Sequence, residues 1–238
     1  MTNLRLLGAH LDGWHPPTLP DGRVIEGRYA RLDPLCAERH SAALFEVFKG
    51  HDEIWDYMPD GPFNCVAELC DWMAAATARD DILFYAIHDK DSDRVAGFVA
   101  FLRMQPDAGS IEIGYIAFSP VLQRTRAATE AITLMIGWSV EAGYRRVEWK
   151  CNALNAASRR AAQRLGFSYE GVFVQASIVK GRNRDTAWFA IIDKDWPALS
   201  EAYASWMSER NFGPDERQVQ RLSELTTPIR RADDPGLS

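Results

Sequence analysis

The chain has 238 residues, 47% of them apolar and 25% charged, with a formal net charge of −6. This suits one domain with a proper core plus a small appendage, and the acidic balance argues against a non-specific nucleic-acid binder, which needs a basic face. No apolar run approaches the ~20 residues that span a bilayer, and Met1–His10 lacks the basic segment and cleavage site of a secretory leader, so a cytoplasmic protein is expected.

In chain order, residues 1–21 read as an irregular arm, with Gly13, Pro16, Pro17 and Pro20 breaking any regular element. Residues 23–32 read as a first strand. Asp33-Pro34 is expected to open a helix, with Asp as cap and Pro in the first turn, and helical spacing of Ala42, Leu44, Phe45 and Phe48 carries it to Gly50. A Pro- and Gly-studded aromatic loop follows (Trp55, Asp56, Tyr57, Met58, Phe63), then a second helix over 65–77 with Asn64 as its cap. Strands are predicted at 82–88, 94–102 and 111–118. A helix over 124–142 stops at Gly143, a strand covers 146–151, and a helix over 156–165 stops at Gly166. Strands near 173–179 and 186–192 and a helix over 196–210 complete the pattern, and 213–238 reads as a polar tail, flexible or docked at the periphery. Strand runs interrupted by crossover helices predict an α/β (α+β) fold, a mixed sheet covered on both faces.

The four cysteines (Cys36, Cys65, Cys70, Cys151) form no CxxC pair and the five histidines are scattered, so neither a metal site nor a Ser-His-Asp set is expected. Two stretches ask for more than a structural reading. In Glu112–Glu130 a strand runs through a short loop into a helix, which offers unpaired N–H groups at the positive end of a helix dipole, an anion site. Arg124 and Arg126 add charge there, and Ala127 and Ala128 keep the first turn thin. In Asn152–Phe167, Asn155 suits a helix cap and Ser158 lies one turn on. Plain readings stand beside these: an ordinary strand–helix connection with solvated arginines, and Asn155 as a cap alone.

The order and spacing of both stretches resemble the GNAT acetyltransferase superfamily. Its cofactor motif, Q/R-x-x-G-x-G/A, is matched by Gln123-Arg-Thr-Arg-Ala-Ala128, and its Asn-x-x-Ala/Ser…Gly-Phe element by Asn155–Ser158 and Gly166-Phe167. Tyr169-Glu-Gly171, Gly181, Asp185 and Asp195-Trp196 resemble the Rim-type branch, which acetylates N-termini of ribosomal proteins. The resemblance covers residues 22–200, within a domain placed at 22–212. It implies a mostly antiparallel twisted sheet with a splayed central strand pair and helices on both faces, acetyl-CoA as co-substrate, no metal, and a fold compatible with a homodimer.

The cofactor contacts it implies are Ile116, Ala117, Phe118, Gln123, Arg124, Thr125, Arg126, Ala127, Ala128, Thr129, Asn155 and Ser158, with backbone N–H groups near 116–118 meeting the oxyanion. Glu112 is the candidate base that deprotonates the amine; alternation with Ile111 and Ile113 fits a surface residue equally. Two departures stand out. Arg126 replaces the first loop glycine, so the loop is expected to keep helical geometry with Arg126 pointing outward. Ala162 replaces the tyrosine that protonates the thiolate in many relatives, leaving Ser158 as a hydrogen-bond donor to that sulfur or as a plain helix-surface serine. On the acceptor side Trp55, Asp56, Tyr57 and Asp185 are the candidates, against a reading in which the aromatics only pack. Three functions are consistent with this pattern: acetyl transfer to a protein N-terminal amine, to a small-molecule amine, or acyl-CoA binding without turnover.

Overall fold

The computed structural model, which describes residues 7–213 and 217–237, places β1 (Ile25–Glu26), β2 (Ala30–Pro34), β3 (Ile82–Asp89), β4 (Arg94–Gln105), β5 (Ser110–Phe118), β6 (Arg146–Asn152), β7 (Ser168–Val179) and β8 (Arg182–Ile192) in one eight-stranded sheet. The order is β1-β2-β3-β4-β5-β6-β8-β7, antiparallel except for the parallel β5–β6 pair. The helices are α1 (Ala37–Phe48), α2 (Val66–Thr77), α3 (Arg126–Glu141), α4 (Ala156–Arg164), α5 (Trp196–Met207) and α6 (Leu222–Thr226). Because side chains alternate along a strand, the sheet feeds two separate cores. Tyr85, Ile87, Val99, Phe101, Ile111 and Ile113 pack with α3, α4 and α5, whereas Phe84, Ala86, Phe98, Ala100 and Ala117 pack with α1 and α2 on the other face.

Helix ends follow local chemistry. Thr125 Oγ1 accepts the N–H of Ala128 at 3.0 Å to start α3. α4 ends in a Schellman motif: Gly166 at φ +92° donates to Gln163 and Phe167 to Ala162, both at 3.0 Å.

Several expectations about elements are corrected. The first strand is two short ones, because the turn between them is gathered onto a buried carboxylate: Glu130 accepts the N–H groups of Arg28, Tyr29 and Ala30 at 3.0, 2.6 and 2.7 Å. Asp33 and Pro34 do not open α1 but end β2. Proline is tolerated there because β1 pairs only with Arg31 and Leu32 and needs no donor from residue 34. The helix starts instead behind Cys36, whose N–H donates to His40 Nδ1 at 3.0 Å. Asn64 does not cap α2; Cys65 holds the cap position, and Asn64 donates to Glu68. β7 begins at Ser168, five residues before the predicted start at Phe173, through a stretch carrying a register shift at Tyr169/Gly171.

The C-terminal stretch folds back on the domain. Leu222 and Thr226 are fully buried, Thr226 Oγ1 donates to Arg164 O at 3.0 Å, and Asp234 is 3% exposed. The N-terminal arm lies over the end of α3, where Trp14 Nε1 donates to Gly143 O at 3.3 Å and Tyr144 OH to Thr18 O at 3.3 Å.

Candidate active site

The central feature is a gap in the sheet. β5 and β6 pair only at Ser110–Glu112 with Arg146–Glu148, yet β5 continues to Phe118 and β6 to Asn152. Past Glu112 the two strands splay. A bulge drives the divergence: Tyr115 takes φ +49°, and Gly114 and Ala117 pair with Ala100 and Phe98, so β5 spends one extra residue. The backbone of Gly114–Phe118 therefore faces β6 without a ladder partner on that strand.

At the far end of this gap β5 turns into α3. Ser119, Leu122 and Thr125 are tied into a tight loop by backbone bonds, and Gln123 Nε2 donates to Phe118 O at 3.0 Å. Arg124, at φ +65°, takes the left-handed conformation the loop requires and is exposed. The loop therefore does not keep the helical geometry expected of it, α3 opens at Arg126 and not at 124, and the Arg126 side chain does not point outward. The guanidinium lies 4.6 Å from the Tyr29 ring centroid and 4.8 Å from that of Phe212, with Asp91 at 3.9 Å, so it is taken up by packing. Ala127 and Ala128 are buried in the core, and Thr129 Oγ1 receives Arg164 Nη1 at 3.1 Å, facing α4. Burial lowers the Arg164 guanidinium from its usual range. The Ser119 hydroxyl is buried in the loop with no hydrogen-bond partner among the described residues.

α4 forms the opposite wall. Asn155 Oδ1 accepts the N–H of Ser158 at 3.0 Å, so this side chain is a cap. Ser158 is not a free surface serine: its Oγ accepts from the Trp149 indole at 3.0 Å. Cys151 lies beside it on β6, and burial pushes its thiol up to about 11. Ala162 is fully buried. Arg159 joins Asp234 through two hydrogen bonds, one of them Nε at 2.7 Å, and donates to Ala153 O at 2.8 Å.

On the α1/α2 face, Glu112 is 3% exposed, which removes the surface reading. Arg103 Nη1 donates to both of its oxygens at 2.7 Å, and Lys150 Nζ lies 3.0 Å away. Lys150 also reaches Glu148 at 2.6 Å and sits 3.8 Å from the centroid of the Trp188 ring. Burial alone would raise Glu148, but hydrogen bonds from Arg146 and Lys150 outweigh it and hold the carboxyl below its usual range. Arg103, Glu148 and Lys150 escaped the sequence reading, although the alternation Arg146-Val-Glu-Trp-Lys-Cys151 marks one polar strand face.

The expected acceptor loop divides. Trp55 is 3% exposed and packs edge-on against Phe48 and Phe63, so it belongs to the core and not to a substrate wall. Asp56 and Tyr57 are exposed, and Tyr57 OH donates to Leu154 O at 3.3 Å, linking this loop to the one before α4. Lys180 donates to Trp55 O at 2.8 Å from the tip of the β7–β8 hairpin. Asp185 does not present a free carboxylate: it accepts the N–H of Gln175 at 2.7 Å and Asn183 Nδ2 at 3.0 Å, and the first of these holds its carboxyl below the usual range.

Residues 30–168 match the family model for an acetyltransferase (GNAT) domain. A solved GCN5-related N-acetyltransferase from Brucella melitensis is 42% identical over 91% of this chain and 100% of its own, with a TM-score of 0.88. A probable GNAT-family acetyltransferase from Chromobacterium violaceum ATCC 12472 is 43% identical over 82% of this chain and 98% of its own, with a TM-score of 0.77. RimL, a ribosomal L7/L12 alpha-N-protein acetyltransferase, shares the fold at 22% identity over 73% of this chain and 98% of its own, with a TM-score of 0.61. No curated protein matches the chain. The splayed β5–β6 pair, the matched domain and the identity to solved acetyltransferases lead to one conclusion: the chain belongs to the GNAT family and is an acyltransferase.

Proposed function

We propose that this enzyme moves an acetyl group from acetyl-CoA to a primary amine by direct attack, with a protein N-terminal amine as the acceptor. The observation that carries the reading is the divergence of β5 from β6 immediately after Glu112 and Glu148. It leaves strand backbone groups free to bind the amide-bearing pantetheine arm, with the first turn of α3 at one end for the pyrophosphate. The residues fit such a guest: the buried orphan hydroxyl of Ser119 sits in that loop, and Arg124 is exposed beside it. Arg126 contributes its place in the helix rather than its charge, since its guanidinium is packed between rings.

In the reaction, an ammonium substrate must first lose a proton, and Glu112 is the carboxylate on the acceptor face that takes it, directly or through water. The N–H groups near Ile116–Phe118 meet the oxyanion. The Ser158 hydroxyl donates to the departing thiolate. Tyr57 and Asp56 border the acceptor entrance, and the occupied Asp185 braces the hairpin beside it. Four free thiols suit a reducing, cytoplasmic setting.

Two measurements test this. Calorimetric titration should give saturable acetyl-CoA binding, and mass spectrometry against peptides and small amines should show acetylation at a peptide N-terminus. Transfer to free small amines alone would move the acceptor to that class, and binding without any transfer would leave a sensor. Glu112→Gln should lower kcat far more at pH 7 than at pH 9, where more amine is already neutral; an equal loss at both would remove Glu112 as base.

A further inference from the structure

We infer that Lys150 is a positioning residue for the acceptor site: held by Glu148 and covered by Trp188, it fixes the Glu112 carboxylate at the position where the splay begins. This rests on the reading of Glu112 as the base. Glu112 and Glu148 are opposite each other at the last paired position of β5 and β6, where the gap opens. Lys150, two residues on along β6, lies between them at 3.0 and 2.6 Å. Its side chain is 8% exposed, so its charge acts with little screening by water. The Trp188 face, 3.8 Å from Nζ, covers the ammonium from β8, and Phe173 stacks on that indole at 4.5 Å. An amine that must be deprotonated beside a lysine needs that lysine's charge committed elsewhere, and two carboxylates and an indole commit it.

The groups around Glu112 come from every neighbouring element. Arg103 faces it from β4, and Lys150 with Glu148 from β6. Glu148 is itself bridged by Arg146, which extends to Glu170 on β7. Tyr115 lies further along β5, where burial pushes its phenol above the usual range. Arg103 is 55% exposed at its side chain, so water and salt weaken its hold on Glu112, whereas Lys150 is sheltered. The two β6 charges therefore act on Glu112 with opposite sign.

The test uses the full-length protein and steady-state acetylation of a peptide with a free N-terminal amine. Lys150→Met should lower kcat about tenfold with the KM for acetyl-CoA within about twofold of wild type, and Lys150→Arg should restore most of the rate. A folded Lys150→Met protein with wild-type kcat overturns the proposal, as does a loss that appears equally in the KM for acetyl-CoA. If Lys150→Met loses rate but Glu112→Gln does not, the base assignment fails, and the inference that rests on it fails with it.

Discussion

The role proposed for Ser158 depends on a partner that touches it from another element, the indole of Trp149 on β6. A serine hydroxyl is too weak an acid to protonate a thiolate outright, but it can donate a hydrogen bond as negative charge grows on sulfur. The Trp149 indole, at 3.0 Å, fills an acceptor site on Ser158 Oγ, and a hydroxyl that accepts becomes a better donor. Ser158→Ala should lower kcat about tenfold, or ~1.4 kcal/mol, with acetyl-CoA affinity unchanged. Trp149→Phe should lower it less. Single-turnover kinetics beside calorimetry separate the two effects; an equal loss of binding would make Ser158 a cofactor contact. Asn155 was legible as a helix cap because the cap pattern fixes it, whereas Glu112 and Ser158 were named through the family resemblance and their partners, Arg103 with Lys150 and Trp149, were not readable from spacing. Trp55 and Arg126 were not legible either, since their surroundings come from distant elements: Phe98 behind the first, Phe212 beside the second.

Among the elements, α4 is the one whose position depends on parts of the chain that look unrelated to it. Asn155 caps it at one end, and the C-terminal segment clamps both ends: Asp234 takes Arg159 near its start, and Thr226 and Arg230 bond the carbonyls of Arg164 and Gln163 near its finish. Asp234→Ala leaves Arg159 with only the Ala153 carbonyl among these contacts. Opening this largely buried pair should cost about 3 kcal/mol, read as a Tm lower by roughly 6–12 °C in a chain of this size. It should also weaken acetyl-CoA binding, because the turn carrying Asn155 and Ser158 loosens. An unchanged Tm would show that the clamp is incidental. β5, β6, α3 and α4 were readable from alternation, 3.6-residue spacing and Gly stops. The docking of residues 217–237 was not: one fully buried leucine and a few ion pairs leave too little periodicity in a polar stretch.

For the whole molecule, the sheet separates two faces of unequal make-up, and acid should loosen the α1/α2 face in two steps. The α3/α4/α5 face holds the larger apolar core, whereas the α1/α2 face starts α1 on a buried histidine. His40 is 7% exposed and accepts the Cys36 N–H through Nδ1, which requires the neutral ring. Burial, with Arg39 adjacent, lowers His40 below its ordinary value of 6.5. The unfolded chain therefore binds the proton first, so stability rises with pH through this range. The contribution is complete above about pH 6.5 and is lost as pH falls through the lower folded value. Glu148 is also lowered, and its contribution is lost only as pH falls below its ordinary value of 4.5. Thermal melts from pH 8 to about 3 should then show two successive losses. His40→Gln, which cannot be protonated, should flatten the upper loss and leave the lower one. If the variant keeps the same slope between pH 7 and 5, the upper loss belongs to another group and the α1 cap is not the acid-sensitive joint of the acceptor face.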